Sequence, residues 1–351
     1  MNDTNISPRQ SLILNYISPS DGISRGELEE KLKPSYIVSK PTLIRDLDIL
    51  LKLELVKIVG KGKNTKYIPL IDNLLLRPFD INRYFEMDPD NRVGAKKSFN
   101  FKVFDNLEIL FYEKELAHIQ SEIKSFKAET KKLSPDILKR ELERFTIELS
   151  WKSSKIEGNT YSLLETETLI KDNREARGKT KEETQMILNH KDAFNQTLKN
   201  RRDFKSINMS LIIQLHNILV DKLSISSGIR KQAVGITGTV YEPFDNEYQT
   251  REAMEKFINA VNSASLVLEK ALIISFMLPY IQPFADGNKR TARMLANAVL
   301  LAYDLYPLSY RNVDEDEFKK ALILFYEQNS IVYIKKIFME QLLFASKNYF
   351  K

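Results

Sequence analysis

The sequence has no cysteine among its 351 residues. This absence excludes disulfides, zinc sites built on thiolates, iron–sulfur clusters and a cysteine nucleophile. Histidine is almost as scarce: only His118, His190 and His216 occur, and no two of them form the His-x-x-x-His pair that a helix-borne zinc site uses. A chain without disulfides suits a reducing compartment, so we expect a cytoplasmic location.

Long apolar runs are missing as well. The longest, residues 271–281, is too short to cross about 30 Å of hydrocarbon, and the chain does not open on a charged and then apolar leader. We therefore expect no membrane partner. Charge of both signs is plentiful, since 53 Lys and Arg stand against 47 Asp and Glu, and the resulting +6 on its own indicates solubility rather than nucleic-acid binding.

Residues 1–72 predict a winged helix-turn-helix domain, because three helical patterns are followed by two alternating strand patterns. The helices are expected at 9–17, 24–32 and 39–52, and the strands at 55–60 and 65–70. Ser24 with Glu27 is a capping-box signal, and Pro41 suits the first turn of the third helix. Residues 73–135 predict a partly helical connector.

Several side chains of this domain suit a DNA interface, with a recognition helix in the major groove and a basic wing on phosphate. They are Lys40, Thr42, Arg45, Lys61, Lys63 and Lys66. Against this interpretation, Asp46 and Asp48 share the third helix, and residues 1–75 hold 11 basic and 9 acidic residues. Winged helices also bind proteins and dimerise, so double-stranded DNA and a homodimer both stay open as partners.

The densest motif is QPFADGNKRTAR, residues 282–293, between two apolar helical patterns. Gly287 and Asn288 permit a tight turn that points backbone N–H groups outward at the start of a helix, where anions bind. Arg290 and Arg293 share a face and add two guanidinium groups.

Asp286 lies just before this turn and is a hard oxygen ligand suited to Mg²⁺ beside phosphates. The motif therefore predicts a site for a triphosphate with magnesium. The alternative is a polar loop with a cationic first turn. Cations at a helix N-terminus oppose the helix dipole, so Lys289 and its neighbours need an anion to compensate them.

The same motif resembles the signature of Fic-domain proteins, His-Pro-Phe-x-Asp-Gly-Asn-Gly/Lys-Arg-x-x-Arg, in which eleven of the twelve positions shown conform. Residues 211–239 resemble the family's helix and flap. Residues 153–159, SSKIEGN, resemble its inhibitory Ser/Thr-x-x-x-Glu-Gly/Asn motif, and 310–338 fit the closing helices of a long subset. The resemblance covers about 140–345.

The resemblance implies a mainly α fold, in which a Fic-type helical bundle with a small β-hairpin flap occupies 136–345 behind the winged helix. It also implies AMP transfer from ATP to a hydroxyl of a target protein. By position, Asp286 would hold Mg²⁺. The phosphates would be bound by Gly287, Asn288, Lys289, Arg290 and Arg293.

The resemblance further implies two accessory elements. The flap, with Ile236, Thr237, Gly238 and Thr239, would pair with an extended segment of an unknown target by strand addition. The inhibitory motif, with Ser153, Glu157 and Gly158, would place the Glu157 carboxylate on Arg293, where the γ-phosphate needs the guanidinium.

Gln282 departs from the family pattern, which has histidine there to take the proton of the attacking hydroxyl. An amide does not do this, and loss of a general base costs about 10²–10⁴ in rate. No other histidine is an obvious substitute: the sequence predicts a structural role for His216 and surface positions for His118 and His190.

Two hypotheses follow. The first is an adenylyltransferase, autoinhibited by Glu157 and impaired or altered by Gln282. The second is a Fic pseudoenzyme that senses a nucleotide and regulates transcription through its winged helix. Lys289 leaves phosphoryl transfer open too, because a kinase-like branch of the family has lysine at this position.

Overall fold

The computed structural model describes residues 6–17, 22–70 and 73–350, and these residues are mainly helical, as predicted. Their regular structure consists of fourteen α-helices and one two-stranded antiparallel sheet. The helices are α1 Pro8–Tyr16, α2 Arg25–Leu32, α3 Lys40–Lys52, α4 Ile81–Phe85, α5 Glu113–Thr130, α6 Pro135–Ile156, α7 Leu163–Asp172, α8 Lys181–Lys199, α9 Met209–Leu219, α10 Glu247–Ser263, α11 Val267–Ile281, α12 Asn288–Ala302, α13 Glu315–Gln328 and α14 Val332–Asn348.

The described residues fall into two compact units. The first comprises the residues up to Lys97 together with Ile236–Tyr241 and Ile323–Tyr333. The second comprises Ser98–Gly235, Glu242–Leu322 and the residues from Ile334 onward. These units are discontinuous along the chain and do not follow the boundaries proposed at residues 72 and 135, which stay a prediction.

The first unit begins with the five elements that the sequence predicts. Serine side chains cap α1, α2 and α3, and the capping box of Ser24 and Glu27 is formed. Strand β1, Val56–Val59, pairs with β2, Lys66–Pro69, and Val56 lies opposite Pro69. The apolar stripe of α3 is buried among the other elements, so local capping and patterning determine this part of the fold.

Asp46 is not a surface residue of α3. Its side chain is only 4% exposed and accepts hydrogen bonds from Arg9 Nε at 2.6 Å and Arg9 Nη2 at 3.2 Å. Gln10 Nε2 donates a third, at 3.1 Å. The charge of Asp46 is paired with Arg9, so of the two acids of α3 counted against DNA binding only Asp48 is exposed.

Two adjacent helices form the centre of the second unit. Every residue of α11 after Val267 is buried, and so is every residue of α12 except Lys289. α11 is apolar around most of its circumference, as helices in a protein core are. α12 also buries the polar side chains of Asn288, Arg290 and Arg293, which are hydrogen-bonded. α11 and α12 follow each other closely, and burial fixes both. The two ends of the loop 282–287 between them are therefore held in place.

No described helix has both the length and the apolar character that crossing a bilayer requires. In the flap, Thr237 and Gly238 form a turn, with a φ of +85° at Gly238. The strands of the expected β-hairpin flap are not formed, because β1 and β2 make the only sheet of the described residues.

Candidate functional site

Gln282 ends α11 in the left-handed conformation, with a φ of 51°. Its Nε2 donates a hydrogen bond to the carbonyl of Pro279 at 2.8 Å, and its backbone carbonyl accepts one from Arg230 Nε at 2.6 Å. The side chain is thus used to hold the loop, at the position where the resemblance expects a proton acceptor.

Asn288, the first residue of α12, closes the loop onto itself. Its Oδ1 accepts from the N–H of Phe284 at 2.9 Å, and its Nδ2 donates to the carbonyl of Phe284 at 2.9 Å and to Gln282 Oε1 at 2.7 Å. These bonds satisfy the polar groups of a loop in which Phe284 and Asn288 are both buried.

The loop also packs against His216 of α9. The imidazole ring stacks on Phe284 with the centroids 3.8 Å apart, and its Nε2 donates to the carbonyl of Asp286 at 2.9 Å. His216 is buried, and burial lowers its pKa. A neutral imidazole that donates from Nε2 fits this geometry. The structural role expected of His216 is what the structure shows.

Gly287 is the N-cap of α12 and has a φ of +81°. A Cβ atom at this position would lie 3.0 Å from Val220 Cγ1 and 3.4 Å from His216 Nε2. Both the backbone conformation and the close approach of α9 therefore require glycine. The turn leaves the first N–H groups of α12 without carbonyl partners inside the helix, as at any helix N-terminus.

Asp286 is the exposed acid of the site, with 68% of its side chain accessible. Its Oδ2 accepts from Arg290 Nη2 at 3.0 Å and its Oδ1 from the N–H of Gly287 at 2.6 Å. The described residues contain no cluster of three or more acidic or histidine side chains that could hold a metal alone. A single exposed carboxylate fits Mg²⁺ only where other ligands, such as phosphates and water, complete the coordination.

Arg293 of α12 is 2% exposed and is held by α6. Its Nε donates to Ser153 Oγ at 2.9 Å, and its Nη2 donates to the carbonyl of Ser153 and to Glu157 Oε1, both at 2.8 Å. The guanidinium carbon lies 5.7 Å from the ring centre of Phe318. Its Nη1 is buried without a hydrogen-bond partner. An unpaired guanidinium nitrogen fits an anion well.

Glu157 caps the C-terminus of α6 and faces two cations. Lys289 Nζ lies 3.6 Å from Glu157 Oε2, beside the bond to Arg293. Burial raises the pKa of Glu157, but the charges of Arg293 and Lys289 outweigh that effect and hold it below its usual value. The carboxylates of Glu157 and Asp286 thereby supply the negative charge that a cationic first turn of α12 needs.

Ser153 and His190 extend this contact into the core. His190 Nδ1 lies 2.8 Å from the carbonyl of Met186 and its Nε2 lies 2.8 Å from Ser153 Oγ. The first contact assigns the proton to Nδ1, so Ser153 donates to Nε2 and accepts from Arg293. Burial lowers the pKa of His190 to about 3. The expectation that His190 lies on the surface is wrong, because α8 packs this face of its helix against α6.

The structure thus brings together one set of predicted residues in the second unit. They are Ser153, Glu157, Gly158, Gln282, Asp286, Gly287, Asn288, Lys289, Arg290 and Arg293. The flap residues and the residues proposed for DNA belong to the first unit. His118 is exposed, as expected.

Arg230 is a part of this site that the sequence did not reveal. Its N–H donates to the carbonyl of Pro283 at 2.9 Å, and its guanidinium bonds the carbonyl of Gln282 and that of Gln232. It is 3% exposed. A lone arginine in a loop gives no periodic or motif signal, so only the tertiary structure shows that it fixes the start of the motif.

The arrangement of these helices around the loop 282–287 is that of a known class of protein, the Fic fold. Residues 206–300 match the model of the Fic/DOC family. Proteins named protein adenylyltransferase Fic are similar to the chain, at 28% identity in Nematostella vectensis and 31% in Aedes aegypti. The matches cover 53% and 47% of this chain, but only 44% and 34% of those relatives, so the chain spans less than half of their length.

Solved structures agree on the fold. Fic-1 (residues 134–508) from C. elegans superimposes with a TM-score of 0.56 at 18% identity, over 67% of this chain and 70% of that one. A Fic domain containing signaling protein from Bacteroides thetaiotaomicron gives 0.54 at 22% identity, over 66% and 96%. Residues 206–300 therefore match a Fic domain, and about two thirds of the chain has the Fic fold.

Proposed function

We propose that the chain binds ATP with Mg²⁺ at the loop 282–293 and is a Fic protein of the adenylyltransferase type. In this proposal Glu157 keeps it inhibited, and Gln282 impairs transfer to the target. The observation that carries the proposal is Arg293, a buried guanidinium with one unpaired nitrogen and one nitrogen held by an internal carboxylate.

Three cations and a helix N-terminus converge on this part of the second unit, which suits a polyphosphate. Arg290 is as deeply buried as Arg293, and burial lowers its pKa although Asp286 opposes that effect. Asp286 is exposed and would hold Mg²⁺ against the phosphates. Phe318, 3% exposed, lies beside Arg293 and offers an aromatic face in the same region.

Inhibition follows from the charge pairing of Glu157. Its two carboxylate oxygens already bind Arg293 and lie near Lys289, so a terminal phosphate competes with an internal anion for the same cations. The carboxylate stays ionised at neutral pH because its pKa is held low. Removal of Glu157 should therefore strengthen nucleotide binding and not weaken it.

Gln282 bears on the chemical step. In AMP transfer the target oxygen bonds to the α-phosphorus of ATP, the bond from that phosphorus to the bridging oxygen breaks, and pyrophosphate leaves. The hydroxyl proton needs an acceptor. The amide oxygen of Gln282 already accepts from Asn288, and an amide takes up no proton at neutral pH. We therefore expect transfer to be slower by about 10²–10⁴ than with histidine.

The test compares wild type with Glu157→Gly, Gln282→His and the double variant. Calorimetry with ATP and Mg²⁺ measures binding, and ATP labelled at the α- or γ-phosphate distinguishes AMP from phosphoryl transfer. We expect Glu157→Gly to bind ATP at least tenfold more tightly, since it removes a competing charge pair. We expect the double variant to transfer label from the α-phosphate.

The matched control is Glu167→Gly, which removes an exposed carboxylate that pairs only with Lys171 on α7. It should leave ATP binding unchanged. Absence of ATP binding by folded Glu157→Gly would refute the proposal. Transfer from the γ-phosphate only would replace adenylyl transfer by phosphoryl transfer.

A second candidate function, a nucleotide-sensing regulator that binds DNA, is favoured by the burial of Asp46. With Asp46 paired to Arg9, the outer face of α3 presents Lys40 and Arg45. Lys61, Lys63 and Lys66 are exposed at the hairpin that follows. This arrangement suits a winged helix with a basic wing.

A further inference from the structure

We propose that Glu327 and Arg92 are positioning residues that hold the flap, residues 236–241, in one conformation. The flap belongs to the same compact unit as the chain up to Lys97 and as residues 323–333. The flap would bind a target only if the proposed function is correct, so this inference rests on that function. The contacts that hold the flap can nevertheless be tested without a target.

Glu327 lies near the end of α13, and its side chain is fully buried. Its Oε1 accepts hydrogen bonds from Thr239 Oγ1 at 2.6 Å and from the N–H of Val240 at 3.3 Å. Its Oε2 accepts from the hydroxyl of Tyr84 at 2.7 Å. A buried carboxylate therefore binds the flap through one oxygen and α4 through the other.

Arg92 completes the arrangement. Its Nη1 donates to both oxygens of Glu327, at 3.2 and 3.4 Å, and to the carbonyl of Gly238 at 2.9 Å. The guanidinium carbon lies 4.4 Å from the ring centre of Phe85, and its side chain is 6% exposed. One cation thus neutralises the buried carboxylate and also binds the backbone of the flap turn.

The polar groups of this cluster depend on one another. A buried carboxylate is costly unless it is paired and hydrogen-bonded, and the flap supplies two of its donors. In return, Glu327 accepts from the N–H of Val240 and Arg92 donates to the carbonyl of Gly238, so side chains bind two backbone groups of a flap that contains no strands.

The cluster of Tyr84, Arg92 and Glu327 is separate from the motif at 282–293. None of Tyr84, Arg92 and Glu327 belongs to the motif at 282–293, and all of them lie in the first unit with the flap. Because Arg92 contacts both Glu327 and the carbonyl of Gly238 directly, a change in the position of Arg92 would also affect the flap.

The test measures hydrogen–deuterium exchange of the full chain in peptides covering 234–241 and 282–293. Glu327→Met removes every acceptor at nearly constant size. Glu327→Gln keeps an amide oxygen for Thr239 and Val240 but loses the charge. We expect flap exchange about tenfold faster in Glu327→Met and an intermediate rate in Glu327→Gln, with exchange at 282–293 unchanged.

Glu317→Gln is the matched control, because this acid lies on the same helix but is only half-buried and pairs with Lys320. It should exchange like wild type. If Glu327→Met does not fold, Arg92→Met and Arg92→Lys serve as the test. We expect flap exchange to be slower in Arg92→Lys than in Arg92→Met, because lysine keeps the positive charge. Flap exchange at the wild-type rate in a folded variant would overturn the proposal, as would faster exchange spread evenly over both peptides.

The outcome is independent of the nucleotide. A chain that binds no ATP but shows selective flap exchange keeps this proposal and refutes the proposed function. A chain that binds ATP as expected, with a flap insensitive to Glu327 and Arg92, does the reverse.

Discussion

Gly287 shows how much one residue can decide in this loop. Its φ of +81° costs an L-residue roughly 1–2 kcal/mol, and a Cβ would also press on Val220 and His216. Gly228 has the same φ of +81°, but a Cβ there would meet nothing within 4 Å. The pair therefore separates backbone strain from the close approach of α9.

We predict that Gly287→Ala lowers the free energy of unfolding by more than Gly228→Ala, which should cost only the strain of about 1–2 kcal/mol. Gly287→Ala should also weaken ATP binding, because the shift of the turn displaces the first N–H groups of α12. Urea denaturation and calorimetry measure the two effects. Equal destabilisation by both substitutions would show that Val220 and His216 can move away from the added Cβ without lowering the free energy of unfolding.

At the scale of helices and turns, the sequence predicts best what is encoded locally. Ser24 caps α2 as expected, because the acceptor and the N–H lie three residues apart. The β-hairpin flap was expected from the family resemblance. Its strands do not form, and Glu327 and Arg92, which are remote in sequence, bind the backbone of residues 238 and 240.

His190 illustrates the same limit between two helices. Nothing in the pattern of α8 indicates that its partner Ser153 lies on α6, and Ser153 in turn holds Arg293. The contact of Glu157 with Arg293 could be anticipated from a motif resemblance. The histidine that supports it could not, because its role depends on how the two helices pack.

The buried imidazole makes stability depend on pH. The pKa of His190 is about 3 when folded and about 6.5 when unfolded, so the unfolded chain binds a proton that the folded chain does not. The contribution to stability is complete above pH 6.5 and is lost as pH falls below it. The slope approaches about 1.4 kcal/mol per pH unit.

We predict that wild type loses roughly 2 kcal/mol from this group between pH 7.5 and 5, and that His190→Gln removes this part of the loss. Urea denaturation at pH 7.5 and 5 provides the measurement. His118→Gln is the control, because His118 is exposed and should leave the pH dependence unchanged. An identical pH dependence in wild type and His190→Gln would contradict the assignment.

For the whole molecule, the division into two units separates two kinds of chemistry. The second unit contains the residues of the proposed phosphate site around Arg290 and Arg293, and the first contains both the flap and the basic hairpin. A protein that regulated DNA through a nucleotide would need both units in one chain. The proposed DNA interface is therefore best tested in the full chain, with and without ATP.

We predict that binding to a double-stranded oligonucleotide weakens steeply between about 50 and 200 mM salt, because lysines on the hairpin release counterions from phosphate. Lys61→Ala and Lys63→Ala should each reduce the slope of log K against log salt by about 0.9, for every DNA sequence alike. Lys131→Ala, exposed in the second unit, is the control and should change neither affinity nor slope. Fluorescence anisotropy gives both quantities.

Binding that does not depend on salt, or no binding at all, would contradict the DNA interface and favour a protein partner for the hairpin. A change in DNA affinity on adding ATP would show that the nucleotide affects DNA binding.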